Sequence, residues 1–148
     1  MMAGRLDESA REVRAGLALD SMSSSNGWQF HRARLAALRG DLVEFEAASA
    51  RAKAIGHTTV PSVKAIALAR AGRSADARRE LSQLPAATPL QQIAEVYANL
   101  GMPDSAVMFL ERVVAHEGNI LDVANTPFLI PLRSNPRYLA LLKRLGFR

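Results

Sequence analysis

The sequence predicts an all-helical protein, a stack of antiparallel helical hairpins closed by a C-terminal helix. Three observations carry this. Alanine and leucine supply most of an apolar content of 49%, and β-branched residues are few, a balance that favours helix over sheet. Glycines recur at positions 4, 40, 72 and 101, separated by 36, 32 and 29 residues. Between them, apolar residues step by three and four, the spacing of one helix face.

Residues 1–22 read as half a hairpin. GRLDESAREVRAGLALDS has the look of a second helix with Gly4 as the turn before it, and its own first helix is missing. The expectation is a fragment or C-terminal region of a longer protein. A bare apolar helix face would then invite self-association. The run from Ser21 to Asn26 reads as a loop that caps a helix beginning near Gly27.

Residues 26–56 form the first full hairpin. Ala33 and Gly40 stand in its first helix and turn, and Asp41 with Glu44 offers a capping box. Five residues after Gly40 comes Phe45, so the close helix contact falls either there or, after a small shift, on Ala47 and Ala48. Trp28 reads as core between hairpins.

In residues 58–86, Pro61 fits only a first helical turn, so a helix begins close to Val60, with Thr59 before it. Ala65 and Leu68 lie on its inner face, Gly72 turns the chain, Ser74 is a candidate N-cap, and Ala77 is the small residue of the second helix.

In residues 88–117, Thr88, Pro89 and Gln91 make a capping box with proline at the first helical position. Leu90, Ile93, Ala94, Tyr97, Ala98 and Leu100 form the apolar face of one helix. Gly101 ends it, because positive φ suits glycine. Pro103 opens the partner helix, whose stripe is Ala106, Phe109, Leu110, Val113 and Val114. Met102 and Met108 read as gap-fillers.

Residues 118–148 break the pattern at Pro127, Pro131 and Pro136. Phe128, Leu129, Ile130 and Leu132 should be docked. Ser134 or Asn135 starts a last helix with an apolar face of Tyr138, Leu139, Leu142 and Leu145, and Gly146 ends it. This helix would cap the open end of the stack.

Ala94, Tyr97, Gly101 and Ala106 in one unit, and Ala65, Leu68, Gly72 and Ala77 in the one before, resemble the tetratricopeptide repeat, whose period is roughly 34 residues. Ala33 and Gly40 match in part. The resemblance implies a right-handed superhelical α-solenoid forming a single domain over residues 1–148, with a concave groove lined by the first helices. Carried onto this chain, the groove positions are Phe30 and Arg34, then Ser62 and Ile66, then Gln91 and Glu95. The lysine–asparagine set by which chaperone-binding relatives clamp a terminal carboxylate is not at these positions. The string PLRSNPRYLALLKRLG also resembles the ends of tetratricopeptide regions in bacterial serine/threonine kinases and winged-helix transcriptional regulators.

The chain lacks cysteine, which removes disulfides, thiolate metal sites and a cysteine nucleophile. His31, His57 and His116 are scattered and no phosphate-binding glycine loop occurs. No catalytic residue, metal or cofactor is expected. There is no secretory signal and no apolar stretch near the roughly 20 residues that span a bilayer, so a cytoplasmic protein without membrane contact is expected. The net charge is +5. Seven bases against one acid fall between Arg51 and Arg79, and five bases against none between Arg133 and Arg148. Such patches attract polyanions, yet the aromatic partners of a nucleic-acid binder are missing.

The expectation is a non-enzymatic scaffold that binds a protein or peptide segment in its groove. One alternative is a regulatory or sensory region of a larger bacterial signalling protein. A second, weaker one is nucleic-acid binding through the basic patches.

Overall fold

The computed structural model describes residues 2–19, 26–116, 124 and 126–147. Among these residues there is no strand, and the fold is all-α. The elements are α1 (Met2–Leu19), α2 (Asn26–Arg39), α3 (Leu42–Ala54), α4 (Pro61–Arg70), α5 (Ser74–Ser82), α6 (Leu90–Asn99) and α7 (Pro103–His116). A 3-10 helix (Pro127–Leu132) and α8 (Pro136–Arg144) follow. No helix among the described residues is long and apolar enough to cross a membrane. Most of the loop expected from Ser21 to Asn26 lies outside the described residues; Asn26 itself begins α2.

The helices pair in sequence order. α2 packs on α3, α4 on α5, and α6 on α7. The first helices of these pairs also lie side by side, α2 against α4 and α4 against α6, while α1 rests on α2.

One turn geometry recurs. After α2, the Gly40 N–H donates to the Ala37 carbonyl and the Asp41 N–H to the Ala36 carbonyl. The same two-bond closure follows α3 at Gly56, α4 at Gly72, α6 at Gly101 and α8 at Gly146. All five glycines have positive φ. This is the Schellman ending, which satisfies two of the carbonyls a helix end leaves open.

The N-termini differ more from expectation. Asp41 caps α3, its carboxylate accepting from the Glu44 N–H at 3.0 Å. The reciprocal half of the box does not form, because the Asp41 N–H is already bound to Ala36 and the Glu44 carboxylate pairs with Arg32. Asn135, not Ser134, caps α8, accepting from the Arg137 and Tyr138 N–H groups. Thr88 makes no cap: its N–H closes a turn onto the Pro85 carbonyl, Pro89 occupies the cap position, and Gln91 reaches Glu95 instead. Ser74 is the first residue of α5, with Arg73 at the cap, since the Arg73 N–H is held by Leu68 in the preceding turn. Gly4 lies inside α1 and turns nothing.

The apolar residues form two clusters. The first joins Ala33, Ala37, Phe45, Ala48, Val63 and Ile66 of α2–α4 to Val96 of α6 and to Phe128. The second joins Ala94, Ala106, Leu110 and Val113 of α6 and α7 to Leu129, Leu132, Tyr138 and Leu141. Fully burying an aliphatic side chain such as Ile66 or Leu110 stabilises by about 1.5–3 kcal/mol each. Phe45 is buried together with Ala48, so the first hairpin accommodates the ring. In α8, Leu141 is buried and Leu139 is 48% exposed, which reverses the expected face at those two positions. Met108 is likewise exposed and fills no gap.

Candidate functional site

The helices α2, α4 and α6 lie side by side, and each carries one pair of the expected groove positions. Each helix contributes a pair four residues apart, and such pairs stand on one side of a helix. The structure separates these six residues by access. Phe30, Arg34 and Gln91 are partly buried. Ser62, Ile66 and Glu95 are buried, so they do not line an open groove.

The C-terminal segment shares part of this packing. The 3-10 helix packs on α6, and Phe128, wholly buried, joins the cluster that contains Ile66 and Val96. The Arg34 guanidinium lies over the Phe128 ring at 4.6 Å from its centroid and 5.6 Å from that of Phe30. A cation over an aromatic face is attracted by the ring quadrupole. Burial lowers the basicity of Arg34, and the nearby Glu95 carboxylate offsets part of that. Arginine stays charged at any ordinary pH, so Arg34 carries a positive charge into a largely apolar place, with Glu95 as its counter-charge.

Asn99, near the end of α6, ties the segment down by its backbone. Its Nδ2 donates to the Glu95 carbonyl at 2.8 Å and to the Phe128 carbonyl at 2.9 Å. Its Oδ1 is buried and has no hydrogen-bond donor among the described residues. Beneath, the Ser62 hydroxyl donates to Gln92 Oε1 at 3.3 Å and links α4 to α6. Glu95 accepts from Gln91 Nε2 at 3.3 Å.

Beside Arg34 the face stays open. A hollow of about 280 Å³ lies between α1, α2 and Pro127, walled by Val13, Trp28, Leu35 and Leu38, with Glu12, His31 and Arg34 at its polar edge. Trp28 is therefore a partly exposed wall residue and not core between hairpins. His31 stands near the rings of Trp28 and Phe30. No group of three histidine or acidic side chains among the described residues could hold a metal.

Two participants were not assigned to this face from the sequence. Phe128 was expected to dock, but nothing local told where. Asn99 carried no signal beyond being a polar residue near a helix end.

The basic patches are partly neutralised. Asp76 binds both Arg73 and Arg79, Lys64 pairs with Glu80 at 2.7 Å, and Arg137 makes a two-pronged contact with Glu111 at 3.0 and 2.7 Å. The structural repeat residues Ala33, Ala65, Ala77, Ala94 and Ala106 are buried without residual exposure, Leu68 nearly so, and Tyr97 stacks on Phe109 at 5.5 Å.

Compared with protein-family models, with curated proteins and with solved structures, the chain matches none.

Proposed function

We propose that this protein is a scaffold of the tetratricopeptide type, a right-handed stack of hairpins that holds a short segment of a partner protein on the face of its first helices and performs no chemistry itself. One observation carries the reading. That face already receives a short 3-10 segment, gripping Phe128 by its ring through Arg34 and by its carbonyl through Asn99. Side-chain pockets plus a hydrogen bond to the main chain are the general means of recognising peptides. The three adjacent first helices supply an extended surface, as stacked repeats do. The ion pairs made by Arg73, Arg79, Lys64 and Arg137 favour this reading over a polyanion site.

Selection of a displayed random-peptide library on the whole chain tests it. Selected segments should bind the intact protein and lose most of that binding on Arg34→Ala and on Asn99→Ala. Binding indifferent to both substitutions, or no selectable segment at all, would remove the proposal.

A further inference from the structure

We infer that Phe128 is a resident ligand, a stand-in that occupies an aromatic socket on the first-helix face and is exchanged for the aromatic side chain of a partner segment. The inference rests on the segment-binding reading above. It adds the chemistry of the partner and the means of regulation.

The socket is built by residues distant in sequence. Arg34 comes from α2, Ile66 from α4, and Val96 and Asn99 from α6. Of the whole 3-10 helix, Phe128 alone enters this cluster. Its neighbours Leu129 and Leu132 point the other way and are held by Tyr138 and Leu141 in the second cluster. The ring can therefore leave its socket while the segment stays anchored. Pro127 and Pro131 are exposed, so they contribute little to holding it.

The resident also leaves something unmet. It offers Asn99 only a carbonyl, and among the described residues no donor reaches the buried Asn99 Oδ1. The amide of asparagine presents one donor edge and one acceptor, the complement of an extended peptide unit. The resident main chain spends the Leu129 N–H on the Thr126 carbonyl within its own turn. An incoming extended segment could give both its carbonyl and its N–H to Asn99.

A route exists as well. The open hollow walled by Trp28 and Leu35 ends at Arg34, the same side chain that covers Phe128. A segment lying in the hollow would already touch the guanidinium before exchange. The partner is thus a short, uncharged segment with a proline followed by an aromatic residue, the chemistry the resident itself displays.

The test uses a fluorescent peptide with the sequence of residues 126–132, read by anisotropy on the full chain. Phe128→Leu keeps an apolar side chain and most of the volume, so the fold should survive while the ring is lost. A resident competitor lowers apparent affinity by the fraction of open sockets, so Phe128→Leu should bind the peptide about tenfold or more tighter than wild type. The peptide with its phenylalanine replaced by alanine should bind neither protein. Equal affinity of wild type and Phe128→Leu would overturn the inference and leave the segment-binding reading intact. Failure of folded Phe128→Leu to bind this peptide while it binds library-selected segments would do the same. Failure to bind any segment would sink both. Should the substitution unfold the chain, wild type carrying fluorine-labelled phenylalanine decides. The Phe128 resonance should move to a solvent-exposed position at saturating peptide, and an unmoved resonance overturns the exchange.

Discussion

A Cβ placed on Gly40 would stand 2.7 Å from the carbonyl oxygen of Arg70. The turn between α2 and α3 thus presses directly on the backbone at the end of α4. Gly72 and Gly101 make the same kind of turn with open space around them. Substitution by alanine should then sort the three. Gly72→Ala and Gly101→Ala carry only the left-handed backbone penalty, about 1–2 kcal/mol. Gly40→Ala adds a backbone collision and should cost about 2–4 kcal/mol. Urea midpoints at constant slope would measure this, and equal losses at all three positions would contradict the close approach.

The caps give a second ranking. Asp41→Ala and Asn135→Ala each remove side-chain acceptors at helix starts and should destabilise by about 1 kcal/mol. Thr88→Ala and Ser74→Ala remove no such bond and should stay within about 0.5 kcal/mol of wild type in thermal melts.

Ala77 and Ala106 are wholly buried where second helices meet their partners. Enlarging either to leucine should destabilise by about 1–3 kcal/mol or force a hairpin apart. Val43, 81% exposed on α3, is the control: Val43→Leu should be neutral by the same urea titration. Tolerance of leucine at Ala106 would mean that α6 and α7 are not in close contact there.

Asp76 supplies a pH dependence. Hydrogen bonds and charge from Arg73, with help from Arg79, hold its carboxyl below the ordinary value of 3.8. A lowered carboxyl pKa stabilises the folded state above the unfolded value, and that contribution fades as pH falls through the folded one. The melting temperature of wild type should therefore exceed that of Asp76→Asn by a small margin near neutrality. The margin should close in acid below about pH 4 and shrink with added salt. A margin that grew in acid would reverse the sign.

What could be read from the sequence was local. A positive φ at a helix end is solved by one residue type, so Gly40, Gly72 and Gly101 announce their turns. Asp41 and Asn135 cap because each stands in extended backbone just before its helix, with a side-chain oxygen in reach of the first free N–H groups. Thr88 fails because Pro85 and Pro89 flank it and its own N–H is drawn into a turn. Gly4 misleads because Met2, Ala3, Arg5 and Leu6 are helix formers, and one glycine among them costs only about 1 kcal/mol. In LALLKRL every step is apolar or amphipathic, so Leu139 and Leu141 cannot be told apart by period. The site was half legible. The six face positions are what the tetratricopeptide resemblance implies, and three of them, Ser62, Ile66 and Glu95, are buried; the seat of Phe128 depends on a contact between residues 34 and 128 that no local pattern encodes.

That contact bears on how the chain folds. An array of hairpins that touch only their neighbours frays from its ends and melts piecewise, each unit near its own temperature. Here a ring from the last quarter of the sequence completes a cluster begun by the second helix. Forming it closes a loop from residue 34 to residue 128, well over half of the chain, which slows folding. In return, opening the C-terminal end strips packing from the middle, so a single cooperative melt is expected in place of piecewise fraying.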